Sequence, residues 1–145
     1  MRTWTTTATV GAGPGAVLDI LTDPDACRRW APVDFDVSGL GDRRLLAGSR
    51  ARVKGRLAGR DVGFDVHVHE ASDEALELSA DGPVAFDVRY DLAPAAGGSE
   101  VRASVGVRPG RGLVGRLLEQ ATAALLTAGL LDTAVSRIAR EAVAC

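Results

Sequence analysis

The 145 residues fit a single domain, 1–145, and suffice for a hydrophobic core without disulfides or metals. A formal net charge of −2 at pH 7 argues against a protein that mainly grips nucleic acid, because such proteins present a basic face. The most apolar window, residues 121–131, is too short to span a bilayer, and no signal-peptide pattern begins the chain. Cys27 and Cys145 provide neither a disulfide framework nor a metal-ligand spacing. We therefore expect a cytoplasmic protein without cofactors or stable membrane insertion.

The N-terminal third of the chain predicts one strand and two short helices. Residues 2–10 alternate between a mixed apolar face and a face of threonines, as a strand does. A break rich in glycine and proline follows, and short helices are predicted over residues 16–21 and 24–30. The second helix is introduced by Asp23 and Pro24, which are an N-cap residue and a proline at the first helical position.

Residues 35–108 predict a meander of about six antiparallel strands. With a turn at Ala58 and Gly59, Arg52 lies opposite Asp65 on one face, while apolar side chains pair on the other. The same separation of charged and apolar residues continues through the later hairpins. The predicted sheet therefore has one apolar face and one charged, solvated face.

The C-terminal segment predicts one long amphipathic helix. Apolar residues recur every three or four positions over residues 113–143, which at about 1.5 Å per residue gives a helix of roughly 45 Å. Asp132 continues the apolar stripe that faces the sheet. Leu126 and Leu130 fall on the opposite side, so we expect them to be exposed and to form a homodimer contact.

This order of elements resembles the START-like helix-grip superfamily, also called SRPBCC. Residues 13–33, GPGAVLDILTDPDACRRWAPV, are similar to the helix pair of that superfamily, with its tryptophan and proline at Trp30 and Pro32. The chain is most similar to the bacterial polyketide cyclase/dehydrase-like group, and its layout is also similar to the G subunits of carbon monoxide dehydrogenases. The implied fold class is α+β, with a curved antiparallel sheet of about seven strands wrapped on a long C-terminal helix and two short helices after the first strand.

The resemblance implies a hydrophobic cavity between the sheet and the final helix. Binding of a small hydrophobic molecule, polyketide-like or lipid-like, is the leading hypothesis. One alternative is an enzyme of the polyketide cyclase, aromatase or dehydratase type that needs neither a metal nor an organic cofactor. Another is an assembly factor similar to the G subunits of carbon monoxide dehydrogenases. Fold analogy alone does not choose among these functions. Aromatase/cyclase members place an arginine in the pocket, and no inward arginine is predicted here.

Asp132 and Tyr90 are the candidate catalytic residues. A carboxylate on the apolar side of the helix could serve as a general acid or base, with the Tyr90 hydroxyl beside it. The alternative is that Asp132 reaches water at the cavity mouth or caps a break at Gly129. The predicted ligand-binding residues share an inward position near the cavity, and they are Trp30, Phe64, Phe86, Tyr90, Thr6, Gln120, Leu125 and Ala128.

Two further groups of residues are less informative. His67 and His69 are two positions apart on the charged face of a predicted strand, but no third ligand lies nearby in the sequence, so we expect no metal site. Arg108, Arg111 and Arg116 form a basic cluster before the final helix. We expect a solvated turn there, and the alternative is contact with an acidic ligand or partner.

Overall fold

A computed structural model describes residues 2–31, 35–38, 44–57 and 59–143. The predicted turn residue Ala58, the family-like Pro32 and the terminal Cys145 lie outside these ranges. In chain order the elements are β1 (Arg2–Val10), α1 (Pro14–Thr22), α2 (Pro24–Trp30), β2 (Phe35–Ser38), β3 (Arg50–Leu57), β4 (Arg60–Ala71), β5 (Ala75–Asp81), β6 (Ala85–Ala95), β7 (Gly98–Arg108), α3 (Gly112–Thr127) and α4 (Leu130–Val143).

All of these strands belong to one antiparallel sheet. Strands β2 to β7 form a meander in which each strand pairs with the next, and β1 is added beside β7, giving the order β1-β7-β6-β5-β4-β3-β2. The predicted hairpin register is confirmed, because Arg52 pairs with Asp65 and Val53 pairs with Phe64. Side chains on alternating positions therefore separate into an inner apolar face and an outer charged face.

Both short helices form, and α2 has the predicted bounds, whereas α1 begins two residues before the predicted 16–21. Pro14 and Pro24 each occupy the first turn of a helix, where a missing backbone N–H costs nothing. The Asp23 side chain accepts a hydrogen bond from the backbone N–H of Asp25 at 3.0 Å, as an N-cap residue does. Both helices pack against α4, and the buried Val17 side chain of α1 contributes to the core.

The C-terminal segment differs from the prediction, since it forms two helices rather than one. The axes of α3 and α4 are bent by 58° at a break that contains Gly129. Gly129 has a φ of +105°, a left-handed conformation that ends α3 and that glycine adopts without steric cost. No single helix in the described part of the chain is both long and apolar enough to cross a membrane, and α3 and α4 meet that criterion only as a bent pair, by length and composition.

The break changes which side of each helix faces the sheet. Leu126 is only 7% exposed and Leu130 is half-buried, so the prediction that these leucines are exposed is wrong. Leu126 and Leu130 are therefore not exposed as the predicted homodimer contact requires. On the other side of α3, Leu125 was expected to point inward and is 37% exposed, and Val114 on the same side is 45% exposed.

Two glycines allow the start of α3 to pack closely on the preceding loop and on the turn between β5 and β6. A Cβ atom added at Gly110 would overlap the backbone carbonyl of Gly115, and one added at Gly115 would lie 2.8 Å from the Pro83 carbonyl oxygen. Both contacts join backbone to backbone, so neither can be relieved by turning a side chain. Glycine at these positions allows α3 to pack against the turn between β5 and β6.

We expect Gly110→Ala to lower the free energy of unfolding by about 1 to 3 kcal/mol, because the added methyl group must displace the start of α3. Urea denaturation followed by far-UV circular dichroism would measure this loss. Gly15→Ala is the matched control, because a Cβ at that exposed position in α1 meets no atom within 4 Å. Equal stabilities of the two variants would contradict the close packing.

Candidate ligand-binding cavity

A partly open cavity of about 320 Å³ lies between the inner face of the sheet and the two C-terminal helices. Its volume is at the lower end of the roughly 300 to 1,000 Å³ that is typical of small-molecule sites. Strands β3, β4 and β6 form much of one wall through side chains two positions apart, because alternate residues of a strand point to the same face. The opposite wall comes from α3 and α4, and Trp30 closes the end beside α2.

A second space of about 220 Å³ adjoins the first and extends toward α1 and β5. The two spaces, here called the outer and inner lobes, share five lining residues, which are Trp30, Val53, Val66, Val88 and Tyr90. The rings of Trp30 and Tyr90 meet edge to face, with centroids 6.4 Å apart and planes at 79°. This aromatic pair therefore stands where the two lobes meet.

The Tyr90 hydroxyl is the distinctive polar group of the cavity wall. Tyr90 is 5% exposed, and its side chain lines both lobes. Burial raises the pKa of Tyr90 well above its usual range, and the neighbouring Cys27 thiol adds to the rise. The phenol is therefore neutral at physiological pH and retains a proton that it can donate.

Other polar atoms of the wall already have partners. Trp30 Nε1 donates to the Ile20 carbonyl oxygen at 3.2 Å, and Thr122 Oγ1 donates to the Leu118 carbonyl oxygen at 2.7 Å. The Cys27 thiol, in the wall of the inner lobe, donates to the Leu21 carbonyl oxygen at 3.3 Å. Burial, together with the nearby Asp23 carboxylate, raises the pKa of Cys27 to about 12, so the thiol stays protonated.

Five of the predicted site residues lie in the cavity wall, namely Trp30, Phe64, Phe86, Tyr90 and Leu125. The Phe64 and Phe86 rings are in contact, with centroids 5.3 Å apart, and they form an aromatic floor on the sheet. Both are half-buried, because the cavity leaves part of each ring without a packing partner. Their role in ligand binding stays a prediction.

Four other predicted site residues do not line the cavity. Asp132 is exposed and accepts a hydrogen bond from Oγ1 of the half-buried Thr6, so its carboxylate meets the sheet at β1 but lies outside the cavity wall and within reach of water, in agreement with the alternative for this residue. Gln120 and Ala128 are exposed on α3 and at its end. The cause is the break at Gly129, which resets the helix phase and places Asp132 in the first turn of α4, where a carboxylate favours the helix dipole. The cavity geometry therefore does not support a catalytic role for Asp132.

Helices α3 and α4 present side chains to the outer lobe that the sequence pattern did not predict. Thr122, Leu126, Leu130 and Ala134 line it, and none was among the predicted site residues. The signal that would have found them is Gly129, because a glycine in the left-handed conformation is a common end for a helix. Ending the first helix there separates the phase of α4, which carries Leu130 and Ala134, from that of α3.

The outer face of the sheet carries ion pairs, and a polar pocket of about 310 Å³ lies there between Arg50, Arg52, Asp65, His67 and Asp81. Arg89 contacts Glu77 at 2.6 Å and Asp91 at 2.8 Å, and pairs of this exposed kind contribute little to stability. The ring centroids of His67 and His69 are 4.4 Å apart. Desolvation and the nearby Arg50 charge lower the pKa of His67. Among the described residues, no group of three or more His, Cys, Asp or Glu side chains is placed to hold a metal ion.

Arg56 borders the cavity mouth but belongs to the charged face. Its guanidinium lies 3.4 Å from Asp61 Oδ1 and donates to the Gly59 carbonyl oxygen at 3.1 Å. Its side chain is 70% exposed, so the guanidinium does not enter the apolar interior.

The sheet, the helix pair and the apolar cavity together define a helix-grip domain of the START-like type. The family described as "Polyketide cyclase / dehydrase and lipid transport" has a model that matches residues 1–143, and the chain belongs to this family. The predicted recognition and the α+β helix-grip class with a curved antiparallel sheet are confirmed. A comparison with curated protein sequences finds no match.

Solved structures share the fold at low sequence identity. Protein TTHA0849 from Thermus thermophilus has a TM-score of 0.75 and 16% identity, covering 99% of this chain and 98% of that one. Protein CV1439 from Chromobacterium violaceum has a TM-score of 0.73 and 16% identity, covering 97% and 96%. DynU16, a protein in the dynemicin biosynthetic locus, has a TM-score of 0.63 and 21% identity, covering 97% of this chain and 46% of that one. These likenesses show the fold alone.

The buried Cys27 thiol should make the protein less stable at high pH. In the unfolded chain the thiol loses its proton near pH 9, whereas in the folded protein it keeps it to about pH 12. Below pH 9 the thiol is protonated in both states, and its contribution to the free energy of unfolding is fully present. Between pH 9 and about pH 12 only the unfolded chain loses the proton, so the free energy of unfolding falls by up to about 1.4 kcal/mol per pH unit from this group. Urea midpoints measured between pH 8 and 10 would show the loss. Cys27→Ala should flatten the slope, and an identical slope in that variant would contradict the assignment.

Proposed function

We propose that this protein binds a small, largely apolar molecule, polyketide-like or lipid-like, in the cavity between the sheet and the C-terminal helices. The observation that carries the proposal is the cavity itself, whose largely apolar wall includes the buried side chain of Tyr90. Such a site favours an apolar body with a polar group placed to meet Tyr90.

The chemistry of the wall restricts the ligand. A charged group inside the cavity would lose its hydration without gaining an opposite charge, so the buried part of the ligand should be neutral. The rings of Trp30, Phe64 and Phe86 offer flat surfaces and edges, which favour aromatic or unsaturated ligands. An oxygen on the ligand could accept a hydrogen bond from the Tyr90 hydroxyl.

Cyclisation of a polyketide is the less well supported alternative. A cavity can hold a flexible substrate in a reactive conformation, but proton transfer also needs a suitably placed acid or base. The described wall of the two lobes contains no carboxylate or histidine, and Asp132 is exposed outside it. An assembly factor would act through its surface, and Leu126 and Leu130, the leucines that were expected to be exposed, line the cavity instead.

A pair of probes that differ by one hydroxyl group tests the role of Tyr90. We expect Tyr90→Phe to weaken binding of 2-naphthol by about 1 kcal/mol, roughly fivefold, because one neutral hydrogen bond is lost. Binding of naphthalene, which cannot form this bond, should change little. Titration followed by tryptophan fluorescence would measure both affinities.

Asp132→Asn is the matched control for this experiment, because it alters a polar group outside the cavity. It should bind both probes as the wild type does. Equal losses of 2-naphthol and naphthalene in Tyr90→Phe would show a general effect on the wall rather than a lost hydrogen bond, and would remove Tyr90 as the anchor.

Filling the cavity should abolish binding without unfolding the protein. Val88 borders both lobes, so Val88→Trp should exclude both probes. Mass spectrometry of an organic extract should likewise lose any apolar compound that co-purifies with the wild type. Thr3→Trp, at an exposed position on β1, is the control for the added ring. Unchanged probe binding by a folded Val88→Trp variant would overturn the proposed site.

A further inference from the structure

Helix α3 carries an apolar face that the rest of the described chain leaves uncovered. Leu113, Val114 and Leu117 are 87%, 45% and 49% exposed, and Leu125 is 37% exposed. These residues follow helical spacing and lie on one side of α3. The remaining large hydrophobic side chain exposed in the described part of the chain is Leu46, which lies in the loop before β3. The exposed apolar surface is thus concentrated on one helix.

Two arginines lie beside this face at the start of the helix. Arg111 is the N-cap residue of α3 and Arg116 lies in its second turn, and both are exposed. Neither makes an ion pair with a described residue, unlike Arg108, which contacts Asp81 and Asp87. Positive charge near a helix N-terminus is unfavourable to the helix dipole. Helix stability therefore does not account for these arginines.

Acidic groups are scarce along α3. Its single carboxylate, Glu119, accepts a hydrogen bond from the Gly110 backbone N–H at 2.6 Å and is half-buried. The exposed part of the helix therefore combines leucines and arginines without a balancing negative charge. That composition is typical of helices that lie in the interface of an anionic membrane, with apolar side chains among the acyl chains and arginines at the headgroups.

The apolar face is continuous with the cavity. Leu125 belongs to the face and also lines the outer lobe, while Thr122 and Leu126 line the lobe from the neighbouring side of α3. Helix α3 therefore forms part of the cavity wall with one side and an exposed apolar surface with the adjacent side.

We propose that α3 docks peripherally on an anionic lipid bilayer, with Leu113, Val114 and Leu117 entering the interface and Arg111 and Arg116 contacting lipid phosphates. Charge complementarity favours a bilayer over a second copy of this chain. A two-fold contact through α3 would bring the arginines of both copies into one interface without acidic partners from the exposed part of the helix. The docking surface does not depend on the proposed ligand-binding function, because it uses side chains outside the cavity.

Sedimentation with large unilamellar vesicles tests the proposal. The wild type should sediment with vesicles of phosphatidylcholine mixed with phosphatidylglycerol, and less with vesicles of phosphatidylcholine alone. Added salt should weaken binding to the anionic vesicles, because it screens exposed charges. Failure of the wild type to sediment with the mixed vesicles at low salt would overturn the proposal.

Matched variants separate the apolar and charged contributions. Leu113→Ser combined with Leu117→Ser should weaken partitioning onto anionic vesicles by about tenfold or more, because two exposed leucines no longer enter the interface. Leu46→Ser is the control for an exposed leucine elsewhere. Arg111→Glu combined with Arg116→Glu should abolish the preference for anionic vesicles, and Arg60→Glu, also exposed, is its control. Equal effects of the variants and their controls would contradict docking through α3.

Two further measurements distinguish the remaining outcomes. Light scattering reports whether the protein is a dimer that the Leu113→Ser and Leu117→Ser changes dissociate, and such a dimer without vesicle binding would overturn the proposal in favour of contact between copies. The Val88→Trp variant, whose cavity is filled, should still sediment with anionic vesicles. Loss of probe binding without loss of vesicle binding would show that the two sites act separately, whereas loss of both would contradict docking through the outer face of α3.

Discussion

The apolar inner face of the sheet must be covered, and the two C-terminal helices cover it without filling it. Helix α4 packs along β1 and against α1 and α2, where Val135 and Ile138 are almost fully buried. Helix α3 turns away at Gly129 and contacts β7, β1 and β3 instead. The space between α3 and the aromatic floor of the sheet remains open. The core and the cavity are thus two parts of the same packing, separated by the bend between the helices.

Most of the sheet could be predicted because its signals are local. Alternation of apolar and charged residues, together with opposite charges at positions such as Arg52 and Asp65, defines the register without knowledge of the rest of the fold. The short helices were predictable for the same reason, since Asp23 and the prolines act within one turn. The phase of α3 was not predictable, because leucines and alanines occur on nearly every side of it. Periodicity then gives no unique buried face, and tertiary packing decides.

The candidate site was predictable to the extent that it depends on strands. Phe64, Phe86 and Tyr90 lie in the wall because alternation along a strand fixes the face of each side chain. Asp132 was misplaced because its position was extrapolated across a helix break. The volume of the cavity was beyond sequence reasoning altogether, since it depends on the angle between α3 and α4 and on how far each side chain reaches into the space.

The edge-to-face contact of Trp30 with Tyr90 gives the domain a built-in optical reporter. Tyr90 is the single tyrosine of the chain, and the other tryptophan, Trp4, lies on β1 with the Arg2 guanidinium 4.8 Å from its ring centroid. A ligand bound at the junction of the lobes would change the surroundings of the Trp30 indole and leave those of the Trp4 indole nearly unaltered. Near-ultraviolet dichroism and emission of the unlabelled protein therefore carry a signal from the junction of the lobes itself.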